Sequence, residues 1–263
     1  MTVTGARRGR YHFAQVARME WIKLRSLRST WWTLVITAAG AIAIAVAVGA
    51  NTKNASGDLT NNALAGIVPG LLLAGVLGVL AMTSEYTSGM IRATLAAIPH
   101  RPLVLAAKAA VFGVVALAVG EATAFISFFA GGAVLRHGIA APAIGQPGVL
   151  RAVALSGAAF CLVGLLGLGL GAIIRHTAAA IAVLVGGVYV LAQFIGAVAH
   201  GAGTYMPILI VGNSLAATKP ECVRAAGPQC VHFLSPWAGL GMLGLYAAVA
   251  LGIGGWLLTR RDA

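Results

Sequence analysis

Charge is what this sequence has least of. Of its 263 residues only 9% are charged, against roughly 25% in an average soluble domain. Six are acids. A soluble globule needs a charged surface, and this chain does not supply one. Hydrophobic residues make up 59% of it, and the mean hydropathy is +0.91. A soluble enzyme, a DNA-binding domain and a disordered tail are excluded on that ground. Cysteine is scarce too. Cys161 lies in an apolar run, Cys222 and Cys230 share a polar loop, and no CxxC pair or His/Cys cluster indicates a metal site. The chain has no GxxxxGK[ST] phosphate loop, no HExxH and no GxSxG. Its six histidines lie at or beyond the ends of the apolar runs, so an intramembrane hydrolase or transferase lacks its reactive groups. The ten-residue alternation of a transmembrane barrel is missing as well.

What is present is unbroken apolar sequence. A helix crossing about 30 Å of hydrocarbon needs about 20 residues. Six stretches qualify: Thr30–Ala50, Ala63–Thr83, Ala109–Leu135, Ala152–Ile174, Thr177–Ala199 and Pro236–Leu258. The expected fold is an all-α polytopic membrane protein with six transmembrane helices in one membrane domain, residues 1–263. The first stretch is too long for a signal peptide and is followed by five more, so it reads as an uncleaved span. The net charge of +12 would suggest nucleic acid in a soluble protein; here the basic residues sit at span ends. With the N-terminus inside, 13 of the 18 Lys and Arg fall on the inner side and 5 on the outer. This bias places both termini in the cytoplasm of a plasma-membrane protein. It also places Cys222 and Cys230 outside, where a disulfide between them would persist.

Residues 10–28 form an amphipathic pattern before the first span. At 100° per residue Phe13, Val16, Ala17, Trp21, Leu24 and Leu27 share one arc, while Arg18, Arg25 and Gln15 lie on or near the far side. Such a helix lies in the inner interface, where Lys23, Arg25 and Arg28 meet anionic lipid. Ser29 and Thr30 can cap the span that follows. Glu20 falls inside the apolar arc. Either it pairs locally with Lys23, or this face touches protein and Glu20 pairs with another cytoplasmic segment.

A second cytoplasmic segment, 84–102, reads as a short helix of about ten residues. Thr87 or Ser88 can cap it, and Met90, Ile91, Thr94, Leu95 and Ile98 recur at helical spacing. Pro99 stops it. Its apolar stripe needs a partner: the membrane surface, the protein's own inner face or a second protein. Within the spans the only acid is Glu121. It is either a substrate or proton site, or a carboxyl hydrogen-bonded to Gln193 or Tyr189. Gly66-x-x-x-Gly70 and Gly167-x-x-x-Gly171 permit close helix contact. Residues 200–235 form one long outer loop, in which Tyr205–Val211 is an apolar patch too short to cross.

The order of these features resembles the ABC-2 type transporter permeases. Glu20-Trp21-x-Lys23-Leu24-Arg25-Ser26-x-Arg28-Ser29-Thr30-Trp31-Trp32 is similar to the start of actinobacterial members. Ser84-Glu85-Tyr86-x-x-Gly89-x-Ile91-Arg92-x-x-Leu95, then Pro99-x-Arg101 and Lys108, is similar to the family's E-x-x-x-G-T-x-x-x-L-x-x-P-x-(S)R…K signature, with Met90 where threonine is commoner. The resemblance spans the chain. It implies a two-copy membrane assembly, homodimeric or heterodimeric, driven by a separate ATPase subunit that holds the ATP and magnesium; this chain would carry no cofactor and would not itself be an enzyme. Residues 10–28 would be a connecting helix. Thr87–Ala97 would be the coupling helix, with Glu85, Tyr86, Gly89, Met90, Ile91, Arg92, Leu95, Pro99 and Arg101 serving the coupling, and the 200–235 loop would hold short outer helices. Export of an amphipathic or apolar substrate such as a drug, antibiotic or lipid is the implied activity. The competing readings are a stand-alone carrier or channel using Glu121, and a membrane scaffold.

Overall fold

A computed structural model of the chain describes residues 12–53, 58–98, 100–135, 139–190, 194–195, 205–214, 217, 223–224, 230–231 and 234–260. The protein is helical throughout this part, apart from one two-residue antiparallel pair, Val223–Arg224 with Cys230–Val231. The helices are α1 (Phe13–Ser26), α2 (Arg28–Asn51), α3 (Leu59–Ala63), α4 (Ile67–Thr87), α5 (Met90–Ala97), α6 (Arg101–Ala133), α7 (Val149–Ile174), α8 (Thr177–Val183), α9 (Pro207–Ser214) and α10 (Pro236–Arg260). A π-helical segment, Leu184–Val190, continues α8.

Five helices, α2, α4, α6, α7 and α10, are long and apolar enough to cross a membrane. The fifth expected stretch, 177–199, is different. Its described helix is α8 and the π-helical segment, each of seven residues, plus residues 194–195. A π-helix leaves the regular ladder, and here it contains the Gly186–Gly187 pair. The sixth crossing is therefore not among the described spans. The patch at Tyr205–Val211 is largely helix α9, whose Ile210 and Val211 are buried.

Helix α7 is the centre of the bundle and packs against α4, α6 and α10. Glycine makes the α4–α7 contact close. A Cβ on Gly78 would collide with the Gly164 carbonyl, and one on Gly167 with the Gly75 carbonyl. Backbones meet where side chains would otherwise hold them apart. Phe160, Leu64, Ile67, Leu71 and Leu243 fill the core beside this contact.

Helix ends explain several shifts in boundary. Helix α10 opens with Pro236, and Ser235 Oγ accepts from the Ala238 N–H at 3.3 Å. Helix α6 begins at Arg101 with Pro102 in its first turn, eight residues before the expected span start. Helix α2 begins at Arg28 with Leu27 as its cap residue, so Ser29 and Thr30 sit inside the first turn rather than capping it. At the end of the bundle away from α1 and α5, Asp58 caps α3 through the Thr60 N–H at 2.9 Å. Its other oxygen accepts from the Ala217 N–H at 2.6 Å, and Arg151 donates to the Ala217 carbonyl at 3.2 Å.

Candidate functional site

Helix α1 has one buried stripe, and a charge is part of it. Val16 and Glu20 are buried, whereas Phe13, Trp21, Ile22 and Leu27 are exposed. Val16 packs with Ile98, Val104 and Ala107, so this stripe lies on α6 and on the residue ending α5. Gln15, Arg18, Arg25 and Arg28 are exposed. The face around Glu20 thus touches protein, as the second of the two readings of that residue required, and the local Lys23 pair of the first is present as well.

Glu20 is 3% exposed, Glu85 5% and Lys108 8%. Isolated, each would be costly to bury. They form one cluster with Lys23. Glu20 Oε1 accepts from Lys23 Nζ at 3.0 Å, and Glu20 Oε2 from Lys108 Nζ at 2.6 Å. Glu85 Oε1 accepts from both ammoniums, at 3.0 Å from Lys23 and 2.9 Å from Lys108. Lys23 spends its third donor on Thr94 Oγ1 of α5 at 3.2 Å. Two cations and two anions therefore balance in a site held by α1, the end of α4, α5 and α6. Burial would lower the Lys23 pKa; the Glu20 and Glu85 carboxylates outweigh it and hold the ammonium above the ordinary lysine value. Glu85 Oε2 is buried and has no hydrogen-bond partner among the described residues.

Helix α5 hangs from this cluster. Thr87 and Ser88 do not cap it: their hydroxyls donate back to the Ser84 carbonyl, at 3.1 and 2.8 Å, and so finish α4. Gly89 holds φ +70° and starts α5 at Met90 instead. Open space surrounds Gly89, so backbone conformation is what glycine supplies there. Ile91, Thr94 and Ile98 are buried, Leu95 is half-buried, and Ile91 packs with Leu34, Met82 and Phe112. The expected apolar stripe is covered by the protein itself except at Met90, which is exposed. The opposite face carries exposed Arg92, Ala93 and Ala96.

The other expected site residues divide. Tyr86 lies under the Arg175 guanidinium, 5.3 Å from the ring centroid. Arg101 donates to the Leu258 carbonyl at 2.9 Å and Arg175 to the Leu257 carbonyl at 3.3 Å, so both serve the C-terminal end of α10. Glu121 is half-buried on α6, where its carboxyl would collide with any Cβ on Gly157. Gln193, Pro99 and Cys222 lie outside the described residues, and of Cys230 only the backbone is described, paired with Arg224. Cys161 is free and buried. Among the described residues no group of three or more His, Cys, Asp or Glu could hold a metal ion.

Sequence reading flagged Glu20 as anomalous and placed Lys108 at a span end and in the signature resemblance, without pairing the two. Thr94 and Arg175 were missed as partners. The available signal was the six acids: in so apolar a chain, two of them near one end of the spans need cations. No family model matches the chain, and no curated protein matches it.

Proposed function

We propose that the chain is the membrane subunit of an ATP-driven exporter of the ABC-2 kind, with six crossings and both termini in the cytoplasm. A separate P-loop ATPase docks on the exposed face of α5, and two membrane subunits pair. The observation that carries this reading is the way α5 is mounted. Its inner face is fixed to α1, α4 and α6 through Lys23, Thr94, Glu85 and Lys108, while its outer face carries exposed Arg92, Ala93 and Ala96. A push on α5 therefore reaches three helices through charge-assisted bonds, which are short and directional. That is the mechanical requirement for turning ATPase closure into a rigid-body shift of a bundle. The cargo is an amphipathic or apolar molecule such as a drug, antibiotic or lipid.

The test is a pull-down followed by an activity assay. The tagged chain brings down a P-loop ATPase in stoichiometric amount. Arg92→Glu inserts and folds but stimulates ATP turnover weakly and exports little. A chain that purifies with no ATPase, or an Arg92→Glu variant with unchanged transport, contradicts the reading.

A further inference from the structure

A groove of about 560 Å³ runs between the start of α6 and the end of α10. It extends from Pro102 to Ala109, about 10 Å along α6. Leu105, Ala106 and Ala109 line one side, and Gly252, Gly255 and Trp256 the other. Small residues make the space. A Cβ on Gly254 would meet that of Ala172 at 2.8 Å, so this glycine serves the contact of α10 with α7. A Cβ on Gly252 would meet nothing within 4 Å, and one on Gly255 only Leu105 at 3.5 Å. These two positions leave room that no described residue fills. Ala106, Gly252 and Trp256 are exposed, so the groove opens sideways. Both helices are long and apolar enough to cross a membrane, where that side meets hydrocarbon.

The mouth of the groove, at the end of α10, is positive. The Arg260 guanidinium lies 4.8 Å from the Trp256 ring centroid, and this face contact leaves its N–H groups available. Neither those groups nor the Trp256 indole N–H makes a hydrogen bond among the described residues. Both side chains donate and neither accepts. The end of α10 does not occupy Arg260 either, because the Leu257 and Leu258 carbonyls accept from Arg175 and Arg101. Among the described residues no acid stands near. Glu20 and Glu85 are engaged with Lys23 and Lys108, Asp58 caps α3 at the far end, and Glu121 lies about 30 Å along α6 from Arg101. Asp262 lies outside the described residues. A second copy of the chain, related by a twofold axis through this groove, would bring its own Arg260 against this one, and like charges repel. A phosphate head brings the opposite charge and only acceptors, and its hydrocarbon tail covers the apolar floor.

We infer that this groove holds one acyl chain of an anionic phospholipid, the chain along Leu105, Ala106 and Gly252 and the phosphate at Arg260 and the Trp256 indole. The inference concerns lipid binding alone. It depends neither on an ATPase docking on α5 nor on which end of the bundle faces the cytoplasm.

The experiment is native mass spectrometry of the full chain released from nanodiscs that contain phosphatidylglycerol and phosphatidylcholine with identical chains. The wild type retains one phosphatidylglycerol in preference to phosphatidylcholine by at least about tenfold, the worth of one charge-assisted hydrogen bond. In Arg260→Gln the preference falls about fivefold, the worth of one basic residue beside anionic lipid. Arg92→Gln, which removes an exposed charge away from the groove, leaves it unchanged. Gly252→Phe fills the groove from α10 and abolishes the retained lipid. Ala106→Phe fills it from α6 and gives the same reading should the first variant fail to fold. Glycerol phosphate, the head without the chains, does not displace the lipid. Equal retention of the two lipids, a loss in Arg92→Gln that matches the loss in Arg260→Gln, unchanged phosphatidylglycerol in a well-folded filled variant, or displacement by glycerol phosphate overturns the inference.

Discussion

Lys108 Nζ lies 2.6 Å from Glu20 Oε2, a contact between residues 88 positions apart. It ties the first helix of the chain to a position two turns inside α6. Glu85 joins the same lysine from the end of α4. The arrangement costs desolvation and repays it only while all four charges are present.

Removing one charge should therefore be worse than removing a pair. Lys108→Met leaves Glu20 and Glu85 sharing Lys23 alone, and about 3–5 kcal/mol of stability is lost. Adding Glu20→Gln recovers part of that loss, with a coupling energy of about 0.5–3 kcal/mol. Thermal unfolding of the purified single and double variants measures both quantities. Additive losses would show that the contact does not couple the two helices.

The cluster also fixes a pH dependence. The folded Lys23 pKa is raised above its ordinary 10.5, so its contribution is full below that pH and is lost as pH rises through the folded value. Wild type should lose stability between pH 9 and a pH well above 10.5 more steeply than Lys23→Met. Parallel loss in the two proteins would contradict the assignment.

Gly89 offers a separate check on how α5 is launched. Its φ of +70° disfavours any side chain, although the space is open. Gly89→Ala should cost about 1–2 kcal/mol, and Gly89→Asn less. Faster hydrogen exchange in residues 90–97, with α4 unchanged, is the expected signature.

Close backbone contact between α4 and α7 predicts a harsher result. Gly167→Ala places a methyl group against the Gly75 carbonyl, and overpacking of this kind costs about 1–3 kcal/mol. Gly187→Ala, where nothing lies within 4 Å, should be far milder. Melting temperatures of the two variants make the comparison.

Sequence periodicity made much of this legible. Five long apolar helices fall where the hydropathy put them, and α1 and α5 lie in the two segments singled out between and before them. Its errors have one cause. Hydropathy stops a span at the first charge, whereas a helix stops at its cap. So Lys108 looked like a flank and is an interior residue of α6, and Thr87 looked like a cap and closes α4. The local Lys23 partner of Glu20 was legible from the i,i+3 spacing; its second partner, Lys108, was not, because pairing across 88 residues depends on how α6 packs on α1, which no local pattern encodes. The Gly186–Gly187 pair in the fifth stretch was visible, but its apolar flanks hid the change of helix type.

The most direct measurement is a photo-crosslink from position 92, on the exposed face of α5. A photoreactive residue there, activated in intact cells, should capture a P-loop ATPase and should be unreachable by reagents outside the cell. Capture of lipid alone, or labelling from the exterior, would contradict the account.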